Sequence, residues 1–291
     1  MTRKRLLLIG WDSADWKIIH PLVDAGLMPA MARMLDKGVA GNLTTLEPQL
    51  SPMLWTSFAT HGELPNGCLV SNLYNSRKHA EADFDLYQGV VAAAYRLHDL
   101  FLVALMRLAG PDTALMLVSD HGVHSDPLRP KFTPRVPAGI TIWHRPQGIF
   151  AAMGPGFQQD SLIHGARLLD VAPTVLAWFG LPVGEDMDGR VLADAFNTPP
   201  DLTTVPSWED PHAAPRQVQE LPRADQQALL DQFADLGYIE RVSEDPGQAV
   251  RETERENKWN LARASSSRHS ARSPRSFPPH CLGGGWVLMD K

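Results

Sequence analysis

The chain has 291 residues, 44% of them hydrophobic, enough for one large α/β domain or two ordinary ones. Its net charge of -6 excludes a global attraction to nucleic acid or to an anionic membrane, so an anionic substrate must be captured by a local positive element such as a metal. Two cysteines, Cys68 and Cys281, exclude a disulfide framework and a Cys-rich zinc site, and they fit a reducing, cytoplasmic setting.

The basic start Met1–Arg5 is followed by an apolar run too short for a signal peptide, so "RLLLIGWD" reads as a buried first strand that reaches Asp12. "KIIHPLVDAGLMPAMARMLDKG" has helical apolar spacing that stops at Gly38, with Pro21 and Pro29 expected to break it into pieces. Met28, Met31 and Met34 within it read as core. β-type residues follow near Leu43 to Leu46, then a Pro-flanked turn at 48–52 and a helix from Met53 onward, which places Ser51 near a helix N-terminus. Residues 61–82 have no sustained period and read as a connector.

Residues 83–109 read as an amphipathic helix whose face is Leu86, Val90, Ala94, Leu97, Phe101, Ala104 and Leu108, ended by Gly110-Pro111. Its surroundings, 85–110, come closest to a membrane span but are interrupted by Arg96, His98, Asp99 and Arg107, so no membrane association is expected. "LMLVSDHGVHSD" is a buried strand ending on Asp120-His121, "GIFAAMGPGF" a further short strand, and "ARLLDVAPTVLAWFG" a helix stopped by Gly180. Strand alternating with helix implies an α/β fold, a mainly parallel sheet sandwiched by helices with ligand groups at the carboxyl ends of the strands. The expected domain covers 1–200. Residues 201–264 read as linker and surface helices, and the Ser/Arg/Pro-biased 265–291 as a disordered tail, too short and too acidic in its surroundings for a nucleic-acid arm.

Asp12, Ser51, Asp120 and His121 thus stand where a parallel sheet would gather them. Two carboxylates and a neutral imidazole suit Zn²⁺ or Mn²⁺, and a serine oxygen beside such an ion is readily made a nucleophile. Singly, each has an ordinary alternative: Asp12 as cap of the following helix, Ser51 as an N-cap.

"LLLIGWDSADW", "LSPMLWTSFAT", "LVSDHGVHSD", "WHRPQGIF" and "HGARLLDVAPTVLAWFGLPVGEDMDGRVL" together resemble the alkaline phosphatase superfamily, in particular its type I phosphodiesterase/nucleotide pyrophosphatase branch, over most of residues 5–200. The resemblance implies a hydrolase of phosphate esters in which a Ser or Thr attacks phosphorus between two divalent metals. Asp12, Ser51, Asp120 and His121 match the set around one metal, with Ser51 as nucleophile, and His164 matches the late histidine of the second. His144 and Arg145 in "WHRPQG" are placed to reach a phosphate oxygen, although a histidine hydrogen-bonded at a strand edge reads as well. His124 reads as structural.

The second site's usual Asp, followed four residues later by His, is missing between Ser51 and Asp120. The connector at 61–82 is correspondingly short, and His79, Asp83 and Asp85 are the nearest substitutes, the two aspartates fitting better as a helix start. "RETERENKWNLARA", which in relatives leads into helical repeats, here runs into the tail. The expectation is one tightly held divalent ion, a weak second one, and a small-molecule phosphate ester as substrate. The alternative is a catalytically impaired phosphate- or partner-binding relative, or a gene remnant.

Overall fold

The structure, a computed structural model, describes residues 4–47, 49, 51, 54, 55, 84–127, 129, 130, 139–208 and 286–290; the side chains of 84–87, 140 and 286–290 lie outside that description. The first apolar run forms β1 (Arg5–Gly10), and the next segment forms two helices, α1 (Trp16–Asp24) and α2 (Pro29–Asp36). The chain breaks between them at Gly26, whose φ of 70° lies in the left-handed region, and α2 starts with Pro29 at a position where a missing N–H costs nothing. Pro21, expected to break the helix, lies inside α1. It stands on the exposed side, where water can take the carbonyl its ring leaves unbonded.

β2 (Gly38–Thr44) begins at the glycine that ends the helical pattern, earlier than the β-type residues suggest. A Cβ on Gly38 would sit 2.2 Å from the Ala152 carbonyl oxygen, which explains how the strand can start flush against its neighbour. The long helix α3 spans Phe84–Ala109. β3 (Thr113–Val118), β4 (Gly122–Val123), β5 (His144–Arg145), β6 (Gln147–Met153) and β7 (Ser161–Arg167) follow. α4 (Val171–Phe179) ends at Gly180 with φ 71°, the left-handed turn a glycine makes without strain. β8 (Val183–Gly184) pairs in parallel with β9 (Thr204–Val205), and β10 is Trp286–Asp290.

The central sheet has the order β10-β1-β3-β6-β2-β7. β1 runs parallel to β3 and β2 parallel to β7, while β6 is antiparallel to both β3 and β2, and β10 antiparallel to β1. Four strands therefore share one direction and two oppose it, a mostly parallel sheet in a mixed α/β fold. Among the described residues, the segment between β3 and β6 holds β4, β5 and a short 3-10 turn at Gly139–Trp143, and the chain returns antiparallel to β3.

Alternation along each strand divides the core into two layers. Leu6, Leu8, Met116, Val118, Phe150 and Ala152 face α4 and the buried Leu54 and Trp55. Leu7, Ile9, Leu115, Leu117, Ile149 and Ala151 face α1, α2 and α3, where Met28, Met31 and Met34 are fully buried, as their spacing predicts. Each buried Leu, Ile or Met contributes about 1.5–3 kcal/mol, so the sandwich is held from both sides.

α3 buries a different face from the one its spacing suggests. Val91, Ala94, Tyr95, Asp99 and Leu102 point inward, while Leu97, Phe101 and Leu108 are exposed. Asp99 accepts hydrogen bonds from the amides of Ala30 and Met31, at 3.1 and 2.8 Å, and so caps α2 from another helix. Burial pushes its carboxyl above the usual range, and those two amides pull the other way. By length and composition Gln88–Ala109 is also long and apolar enough to cross a membrane. Here Asp99 and Tyr95 tie it into the protein as one layer of the sandwich.

The expectation of a disordered tail does not hold for Trp286–Asp290, whose backbone extends the sheet beyond β1. The connector at 61–82, the helix expected after Met53 except Leu54 and Trp55, the linker and helices of 201–264 after Trp208, and the tail up to residue 285 lie outside the described residues.

Candidate metal centre

Neighbouring parallel strands put their carboxyl ends side by side. Gly10 of β1 pairs with Val118 of β3, so Asp12 and Asp120, each two residues further on, come out next to one another. The Trp11 amide continues the ladder to the Val118 carbonyl at 2.9 Å. Then the chain turns sharply: Ser13 has φ 61°, a left-handed conformation costing a residue with a side chain roughly 1–2 kcal/mol. Its hydroxyl donates to Asp12 Oδ1 at 2.7 Å.

One oxygen or nitrogen each from Asp12, Asp120 and His121 lie within 4.8 Å of one another, a set that can hold a divalent cation. His121 Nε2 stands 3.5 Å from Asp120 Oδ2 and 3.7 Å from Asp12 Oδ1. Asp120 and His121 are fully buried, whereas the Asp12 side chain is 48% exposed and marks the side from which a ligand enters. Ser51 is buried, with Oγ 2.9 Å from His121 Nε2. His121 Nδ1 lies 2.8 Å from the Gly122 carbonyl, which can only accept, so Nδ1 carries the ring proton. In the neutral ring Nε2 is then the lone-pair nitrogen, facing the Ser51 hydroxyl and the two carboxylates.

Asp120 supplies the test of fit. Both of its oxygens are buried without a hydrogen-bond partner. Burial, and next the Asp12 carboxylate, push its carboxyl up to about 7. His121, the Ser51 hydroxyl and the Ser13 amide pull the other way, but neither of the last two reaches hydrogen-bonding geometry. An orphaned acid beside a second acid and an unprotonated ring nitrogen is what a divalent cation would satisfy.

His144 stacks face to face on His121, ring centroids 3.7 Å apart and planes 16° from parallel, with Nδ1 2.8 Å from the Gln49 carbonyl. Burial, then the His121 ring, hold its imidazole well below its ordinary value, so it packs as a neutral ring. Arg145, named with His144 as a candidate for substrate contact, forms an ion pair with Asp15. His164 lies exposed on β7, outside the cluster. His124 is partly buried, its amide bonded to the Trp143 carbonyl. Of the substitute ligands, His79 and Asp83 lie outside the described residues, as does the side chain of Asp85 at the start of α3.

The capping role weighed for Asp12 belongs to Asp15, whose carboxylate accepts from the Lys17 amide at 2.9 Å. Three residues missed in the sequence brace the loop. Tyr95 accepts from the Asp15 amide and donates to the Ser13 carbonyl, Ser119 Oγ accepts from the Ala14 amide and donates to the His121 carbonyl, and Asp15 itself is almost sealed from solvent. The only sequence signal was Asp15 in "WDSADW", three residues past a candidate ligand.

Fold and site together define a mixed α/β protein with a candidate centre for a divalent cation at the carboxyl ends of β1 and β3. No protein-family profile matches the chain, and no curated protein matches it at a significant level. Among solved structures, that of BT4656 in complex with its substrate D-glucosamine-2-N,6-O-disulfate is similar at 13% identity with a TM-score of 0.30. The match covers 62% of this chain and 42% of that one, so this chain spans less than half of that structure's length.

Proposed function

We propose that the protein is a metal-dependent hydrolase of small phosphate esters, phosphodiester or nucleotide-type, that works through a phosphoryl-Ser51 intermediate. The observation that carries this reading is the Ser51 hydroxyl 2.9 Å from His121 Nε2, beside the buried and orphaned Asp120. The ordered motifs that resemble the alkaline phosphatase superfamily support the reaction class. Asp12, Asp120 and His121 would hold the ion, Zn²⁺ or Mn²⁺ by the chemistry of the donors. A cation there supplies positive charge that makes the Ser51 hydroxyl more acidic and offsets the charge of the phosphoryl oxygens.

Ser51 Oγ, giving up its proton to solvent, forms its bond to phosphorus as the bond to the leaving oxygen breaks, the leaving oxygen takes a proton from water and departs as an alcohol, and a second water then cleaves the phosphoserine to phosphate and the free hydroxyl. In the metal-free protein His121 holds the hydroxyl through Nε2; with an ion held, that nitrogen would be a ligand instead, and the Gly122 carbonyl would fix the ring for that role. Ser51→Ala is expected to abolish turnover of phosphodiester and phosphomonoester substrates in the presence of Zn²⁺ or Mn²⁺, while metal binding persists through the carboxylates and imidazole. Undiminished hydrolysis by the alanine variant would remove Ser51 as nucleophile.

The position of His164 favours a second reading, a catalytically impaired relative that binds a phosphate ester and turns it over slowly. The residue matching a second-site ligand stands exposed and is not among the three clustered donors. Metal analysis of the purified chain is expected to give close to one tightly held ion and hydrolysis well below that of a two-metal enzyme. Two tightly held ions with brisk turnover would sink this second reading.

A further inference from the structure

The three segments that build the centre converge on one carboxylate that is not part of it. Asp15, only 3% exposed at its side chain, accepts from the Lys17 amide, from the Val123 amide at 3.1 Å and from the Arg145 guanidinium. It stands three residues after Asp12. Val123 stands two residues after His121, and Arg145 is next to His144, the ring stacked on His121. The fit is close: a Cβ on Gly122 would lie 2.5 Å from Asp15 Oδ2. From behind, Tyr95 holds the Asp15 amide at 3.1 Å and the Ser13 carbonyl at 2.8 Å, so the left-handed turn that carries Asp12 is fixed to α3.

We propose that Asp15 is a positioning residue whose carboxylate, tying the Asp12 turn to the strand after His121 and to the strand bearing Arg145, sets the separation of Asp12 and His121 and so the affinity of the centre for its cation. The inference rests on the metal reading above. Asp15 does not face the ion; it acts through residues that do. Partners that orient metal ligands typically contribute a factor of about 10–100 in affinity. Here one carboxylate orients two ligands from different strands.

The test is a Co²⁺ titration of the metal-free full chain, followed by visible absorption, with apo melting measured alongside. Asp15→Asn alone leaves an unpaired Arg145 near the cation, which would weaken binding by charge. The deciding variant is therefore Asp15→Asn with Arg145→Gln, which removes both charges together. It is expected to bind Co²⁺ on the order of tenfold or more weakly and to shift the absorption band, because the donors no longer hold one geometry. Tyr95→Phe, which removes one hydroxyl from the same brace, is expected to lose several-fold and decides the matter if the double variant does not fold. Leu102→Ala, which weakens the packing of α3 without touching the loop, is expected to lower the melting temperature and leave affinity unchanged.

Wild-type affinity and spectrum in the double variant, or in Tyr95→Phe where the double variant does not fold, would overturn the positioning role alone. So would an equal loss in Leu102→Ala. A wild-type chain that takes up no Co²⁺ would overturn the metal reading, and this inference with it.

Discussion

Both oxygens of Asp120 are closed off from water and unbonded, and its carboxyl is raised to about 7 by burial and by the adjacent Asp12. A cation must displace that proton, so affinity should be level above pH 7 and fall about tenfold for each unit below it. Titrations at pH 8 and pH 6 check this, and equal affinities would show that Asp120 is not a ligand. The sign for stability is the reverse. A carboxyl whose folded pKa lies above its unfolded value costs stability while charged, so the metal-free protein should become more stable as pH falls through 7. Asp120→Asn should therefore melt higher than the wild type at pH 8 without metal, while losing the ion. Asp12 and Asp120 were legible in the sequence because an acid just past an apolar strand has few places to be. Asp15 was not, because a carboxylate before a helix reads as a cap, and its contacts with Val123 and Arg145 exist only in three dimensions.

Among the elements, α3 shows where periodicity falls short. It is apolar on nearly every side, so spacing alone does not distinguish the stripe with Leu97, Phe101 and Leu108 from the one with Val91, Tyr95 and Leu102. What decides is polar: Tyr95 and Asp99 have fixed partners under the helix and turn that stripe inward. Leu102, 3% exposed, should lose about 2–5 kcal/mol on truncation to Ala, whereas Leu108, 82% exposed, should change stability by less than about 0.5 kcal/mol. Chemical denaturation of both variants checks the assignment, and a reversed order would mean that the helix is rotated. The Pro21 expectation failed for a related reason, since a proline on an exposed side can be accommodated by solvent.

For the whole molecule, alternating strand and helix were enough to give the class of fold and the strand ends at which Asp12 and Asp120 come together. The order of strands was not legible, because nothing local to "QGIFAAM" says that it enters between β3 and β2 in the opposite direction. Nor does a Ser/Arg-rich tail announce that its end pairs with β1. A chain ending at Gly285 removes that partner strand, and an open strand edge invites pairing with another chain. Size-exclusion chromatography with light scattering should then show increased self-association; an unchanged monomer fraction would mean that the edge is protected in another way.

The pairing of β1 with β3 also governs when the protein becomes competent. Arg5 meets Thr113, and Val39 meets Ser161, so the sheet consists of partners far apart along the chain, a topology that folds slowly because long loops close before any contact rewards them. During synthesis the segment up to Val118 emerges with Asp12 but without Asp120 and His121. A ribosome-bound chain arrested before Ser119 therefore has no centre to fill, and any cation capture would wait for the strand that carries Asp120 and His121 to pair with β1.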